Sequence, residues 1–262
     1  MEGEKESNFG KSESEKTAKF SSEIYPAQIS QDFYCLYKII PSGQVPIDRE
    51  NSIRLCREGC PSYAKNYSCP PNSPTLEEYI GECRHLLFFI FQAKVPAQAA
   101  GLPEGERQKY FNKFDFGANK EVDRIMRELE KRIGARHIAA RKCALCKICK
   151  KEKEKPCKRP EKMRNCAVSL GIDCKRIAEE HFLYPLDWRD KHKLPGKISY
   201  ICAIPFHPSG CKERFKGFRE IKEIIKTCLG VEDHSLLTAG DMQNNPKNRS
   251  LKQNINIFSV QF

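Results

Sequence analysis

Residues 86–91 read Leu86-Leu87-Phe88-Phe89-Ile90-Phe91, the longest apolar run in the chain. Six residues fall far short of the roughly 20 needed to cross a membrane as a helix. Extended to Gln92, the run reads as a strand buried on both faces. Phe33 to Ile40 (FYCLYKII) is aromatic and β-branched and reads as a second strand, stopped by Pro41-Ser42-Gly43; Ser199 to Phe206 (SYICAIPF) reads as another. His137 to Ala140 is a short strand candidate.

Helices surround these strands in the pattern. Thr75 and Glu78 form a capping-box pair ahead of a helix over 75–85, whose apolar face is Leu76, Tyr79, Ile80 and Cys83. A second helix spans 119–133, capped by Asn119, with the stripe Val122, Ile125, Met126 and Leu129. Its Asp123–Arg127 and Glu128–Arg132 pairs lie at i,i+4. Residues 96–117 read as a long loop or an indistinct helix, and Ser52 to Cys69 as a cysteine-bearing loop. Pro160 to Leu170 is helical in pattern, ended by Gly171. Asp173 can cap a short helix with Ile177 and Ala178, and Lys212 to Leu229 is long and amphipathic. The expected class is α+β: a small mixed sheet with packed helices and two cysteine-rich, metal-binding loops. Three regions follow: a polar, disordered tail over 1–24, a cysteine-rich domain over 25–206, and a C-terminal helix and tail over 207–262.

The 262 residues include 14 Cys and carry a net charge of +12. The first 22 residues mix charges freely and contain no apolar signal core. A cytoplasmic location follows as the expectation, where reduced cysteines serve as metal ligands more often than as disulfides. The basic excess is local. Residues 141–164 hold eleven Lys/Arg against three Glu, a net of +8, along with four Cys.

Those four are Cys143, Cys146, Cys149 and Cys157, spaced Cys-x2-Cys-x2-Cys-x7-Cys. Three thiols at two-residue intervals can fold inward around one cubane, as in bacterial-type ferredoxins. Structural zinc more often uses two separated Cys-x2-Cys knuckles, so zinc is the alternative metal. A 4Fe-4S centre with four thiolates carries about −2, and flanking Lys and Arg offset that charge. Nucleic-acid binding is the rival account of the same charge. It is not favoured, because no aromatic residue lies between the charges to stack a base.

The first set is Cys56, Cys60 and Cys69, spaced Cys-x3-Cys-x8-Cys. A fourth ligand could come from Cys157, Cys166, Cys83 or Cys35; otherwise one iron stays open for chemistry. Cys35, Cys83, Cys202 and Cys228 read as core thiols, and Cys166 and Cys174 remain ambiguous. His207 and Cys211 resemble a ligand pair without partners, and the other histidines read as surface residues. Dinucleotide, P-loop, nucleophile-elbow and radical-SAM patterns are absent from the sequence.

The two cysteine motifs together resemble a family of archaeal and bacterial predicted metal-binding proteins of unassigned function. The resemblance rests on Cys56, Cys60, Tyr63 and Cys69-Pro70-Pro71-Asn72-Ser73-Pro74. It continues through Cys143, Cys146, Cys149, Cys157, Pro160 and Gly171-Ile172-Asp173. It covers roughly residues 33–205 and implies metal binding without naming a reaction. The expectation is a protein binding one or two 4Fe-4S clusters and passing electrons to or from a partner enzyme. A redox enzyme with an open iron and a zinc-stabilised nucleic-acid or protein binding module are the alternatives.

Overall fold

The computed structural model describes residues 25–30, 33–187, 194–206 and 218–229. The expected tail over 1–24, the His207–Cys211 pair and the C-terminal tail lie outside these residues.

Four strands form one sheet in the order β1 (Tyr25–Ser30), β2 (Phe33–Pro41), β3 (His85–Lys94) and β4 (Lys197–Phe206). The α+β class holds. The sheet, however, is not mixed, because every pairing is antiparallel. An uninterrupted apolar run shows that a strand is covered on both faces, but it carries no information about strand direction. Here the centre of β3 is covered twice over, with Leu86 to Phe91 all fully buried. Alternate side chains enter opposite cores. Leu87, Phe89 and Phe91 pack with Tyr37, Tyr200 and Cys202 in one core, whereas Leu86, Phe88 and Ile90 pack with Leu36, Ile40 and Ala203 in the other.

The helices are α1 (Arg49–Gly59), α2 (Leu76–Ile80), α3 (Glu104–Ile133), the short α4 (Cys174–Arg176) and α5 (Phe218–Leu229). Helix α3 covers the first core with Val122, Ile125, Met126 and Leu129, joined by Ile224, Ile225 and Leu229 of α5. The second core is covered by the segments that carry the cysteines, through Leu76, Ile80, Ile138, Ala167, Leu170 and Ile172.

Several local expectations hold. Thr75 caps α2 in a full capping box with Glu78, Asp173 caps α4, and the Asp123–Arg127 and Glu128–Arg132 ion pairs form. Four expectations need correction. Helix α3 begins at Glu104 rather than Asn119, so of the two readings of residues 96–117, loop or indistinct helix, the helix is right for most of the stretch. Gly105 and Gly117 obscure the pattern there, but both sit where a side chain would meet open space. Residues 49–59 are helical rather than loop, started by Asp48, whose carboxylate accepts the Asn51 N–H at 3.1 Å. Residues 160–170 form two single 3-10 turns, Pro160–Lys162 and Val168–Leu170, and not one helix. The stretch between them pairs instead with the 137–140 segment, which bridges both Ala203 and Cys166. Finally, α2 stops at Ile80, where Gly81 turns the chain at φ 57°.

Candidate metal centres

The first cysteine set grows out of the end of α1. Cys56 lies in its last turn and Cys60 caps it, with the Cys60 N–H bonded to the Cys56 carbonyl. An i,i+4 spacing puts both thiols on one helix face. The chain then folds back through a tight loop. The Ala64 N–H donates to the Pro70 carbonyl at 2.9 Å, and the Cys69 N–H to the Asn66 carbonyl at 3.1 Å. Cys69 is buried, Cys56 half-buried and Cys60 exposed.

A fourth thiol arrives from far along the sequence. The segment holding Cys166 is pinned on one side by bonds between Ala139 and both Asn165 and Ala167. On the other side the Asn165 amide donates to the Ser68 carbonyl, 3.1 Å away and one residue before Cys69. The following turn seats against α1. Ser73 donates to the Ser169 carbonyl at 2.7 Å, and Gly171, at φ 88°, approaches so closely that a Cβ there would stand 2.9 Å from Arg49 Cβ. The electrostatics record the same convergence. Burial pushes the Cys69 thiol up to about 12, and Cys166, Cys60 and Cys56 add to the rise while Ser68 opposes it. Burial, then Cys166 and Cys60, push Cys56 up to about 11. Cys166 is raised by burial, against hydrogen bonds from Ser169, with Cys60 adding to it. Like charges penalise one another in this way only when close.

The other candidates for this place fall elsewhere. Cys35 is fully buried in the β2 core, Cys83 packs against the second core, and Cys157 belongs to the second set. Cys174 interacts with Cys166 but does not figure among the neighbours that shift Cys56 or Cys69.

Cys143, Cys146, Cys149 and Cys157 line one cavity, together with Asn66, Tyr67, Lys150, Lys158 and Arg159. Burial raises the Cys143 thiol, while the Leu145 and Arg164 backbone N–H groups and the nearby Arg127 charge counter it. The loop of the first set grips this one. Asn66 donates to the Cys143 carbonyl at 3.0 Å, Ser68 Oγ accepts the Cys143 N–H at 2.9 Å, and the Tyr67 hydroxyl donates to the Lys155 carbonyl at 2.9 Å. The two cysteine sets therefore share a wall. All thirteen cysteines among the described residues are free thiols.

A third group of polar side chains, not foreseen from sequence, lies beside the second loop. His137 is fully buried, which corrects the expectation of a surface residue. It packs with Glu130 of α3 and with the buried Arg164, which donates to both oxygens of that carboxylate. Burial raises Glu130, but hydrogen bonds from Arg164 and His137 outweigh it and hold the carboxyl well below its ordinary range.

Fold and site together define a cysteine-rich α+β protein in which the β2–β3 and β3–β4 connections each bring a set of thiols to adjoining loops. A family described as "Predicted metal-binding protein (DUF2284)" matches residues 38–204, and the chain belongs to it. No curated protein and no solved structure matches the chain. Among the described residues no helix is long and apolar enough to cross a membrane.

Proposed function

We propose that this protein is an iron–sulfur redox protein holding two 4Fe-4S clusters. Cys56, Cys60, Cys69 and Cys166 hold one, and Cys143, Cys146, Cys149 and Cys157 the other. The observation that carries this reading is the pair of all-thiol sets abutting at the contact between Ser68 and Cys143. The donors are uniformly soft, which suits iron–sulfur or zinc far better than a hard cation.

Ligand spacing favours the cluster over zinc: three thiols at two-residue intervals fold inward around one cubane, whereas structural zinc more often uses two separated Cys-x2-Cys knuckles. Lys150, Lys158 and Arg159 on the cavity wall, with N–H groups directed at Cys143, offset the charge such a centre carries.

When bound, the clusters supply one-electron chemistry; the chain's own part is to hold the thiolates and set their surroundings. A fourth thiol at the first set favours electron transfer to and from a partner enzyme over an open-iron catalyst. Anaerobic purification with a spectrum and metal counts tests this: about eight iron and eight sulfide per chain are expected for two cubanes. A colourless protein with stoichiometric zinc and no sulfide overturns it.

A further inference from the structure

The second cysteine loop carries far more positive charge than its own centre uses. Of the eleven Lys and Arg over residues 141–164, only Arg141 and Arg164 have a carboxylate partner among the described residues, namely Asp115 and Glu130. Lys150, Lys158 and Arg159 line the cysteine cavity. Lys142, Lys147, Lys153, Lys155 and Lys162 do not line it, and all five are exposed. A 4Fe-4S centre of about −2 is matched by the cations on the cavity wall. The others repel one another and raise a positive potential that reaches about 8 Å into solvent at physiological salt.

An apolar side chain stands in the middle of this charge. Ile148 lies between Cys146 and Cys149, follows Lys147 in sequence, and is 54% exposed. Cys146 and Cys149 are themselves only half-buried, so little protein separates this surface from the second centre. An apolar centre with a charged rim is the make-up of a protein docking patch. A single-stranded nucleic acid would instead need free aromatic faces. The ring beside the loop, Tyr67, is taken: Lys151 lies 5.6 Å over it, and its hydroxyl donates to the Lys155 carbonyl.

We propose that this surface docks an acidic protein that carries one electron at a time, its carboxylates meeting the exposed lysines and its apolar centre meeting Ile148. The electron-transfer role rests on the iron–sulfur reading; the docking does not. One electron crosses and no proton: as the partner's centre gains it, the second cluster goes from about −3 to about −2, and the reverse step restores both. Charge steering speeds such encounters without making them tight, which suits a carrier that must leave after each transfer.

The test uses the full chain, purified anaerobically, with an acidic plastocyanin and a basic cytochrome c as one-electron acceptors. In stopped-flow mixing with the reduced chain, the acidic acceptor should react about tenfold faster or more at about 0.01 M salt, and that advantage should vanish at about 1 M. A 15N-labelled copper(I) plastocyanin, which takes no electron, should show saturable shifts whatever metal the cysteines hold. Lys147→Glu with Lys153→Glu should weaken both signals by about tenfold or more. Ile148→Ser should weaken them by about threefold and leave the salt dependence unchanged. Lys94→Glu with Lys109→Glu, an equal change of charge at exposed positions outside the loop, should leave both within about twofold. Absence of saturable shifts, an equal loss in the Lys94 and Lys109 variant, or tighter binding of oligo(dT) or of phosphatidylserine vesicles overturns the proposal. Saturable shifts with no electron transfer would leave the docking standing and overturn the iron–sulfur reading; transfer at equal rates to both acceptors would do the reverse.

Discussion

Ser68 Oγ accepts the backbone N–H of Cys143 at 2.9 Å, across 75 residues of sequence. Ser68 is fully buried and immediately precedes Cys69, so one hydroxyl joins the two cysteine sets. The same loop holds the other side of Cys143 through Asn66. Ser68→Ala leaves that N–H without its acceptor, at a cost of about 1–3 kcal/mol. Urea unfolding should show the loss, and iron content should fall at both centres. Loss confined to one centre would argue against a shared wall.

Much of this arrangement is legible in the sequence because it is local. Short spacings, two or three residues within each motif and seven or eight to its last cysteine, bring seven of the eight proposed ligands forward. Cys166 is different. Its place depends on Asn165 reaching Ser68 and on Ala139 pairing beside it, contacts between segments far apart in the chain. Spacing alone could not rank it above Cys35, Cys83 or Cys157. His137 was hidden for a related reason: its burial is set by Arg164, 27 residues later, closing on Glu130. Strand direction was invisible because β3 is covered on both faces, which erases the alternation that usually marks an antiparallel strand.

The assignment of Cys166 separates cleanly from its neighbour Cys174. Cys166→Ser is expected to remove about half of the iron and sulfide, as loss of one of two cubanes requires. Cys174→Ala should leave metal content unchanged and cost only packing, since that thiol lies against the second core. Metal analysis of the two variants beside Cys35→Ala decides the matter. Iron lost in Cys174→Ala and retained in Cys166→Ser would reverse the assignment.

Gly171 serves the same centre from a distance. Its φ of 88° is one that L side chains rarely adopt, and a Cβ would meet Arg49 Cβ at 2.9 Å and Cα at 3.1 Å. Gly171→Ala must therefore push the 168–171 turn away from α1, and Cys166 away from Cys56. A destabilisation of roughly 1–3 kcal/mol is expected from the backbone alone. Thermal unfolding should show it, with iron lost from the first centre and kept at the second. Full occupancy of the first centre would show that Cys166 does not depend on this close approach.

Glu130 links stability to acid. Burial raises its pKa, but the hydrogen bonds from Arg164 and His137 win, so the folded value lies below the unfolded one. The sign follows: the stabilisation is complete above the unfolded carboxyl value of about 4.3 and is lost as pH falls toward the folded value. Glu130→Gln leaves the buried Arg164 guanidinium without its counter-charge, which costs about 3–5 kcal/mol. Chemical denaturation at neutral pH should show that loss. Repeated at pH 4 and below, it should show the wild type losing stability more steeply than the variant, so that the gap narrows. A gap that stays constant over this range would mean that Glu130 titrates alike in the folded and unfolded chain, and the ion pair with Arg164 would then contribute nothing to the acid sensitivity of the fold.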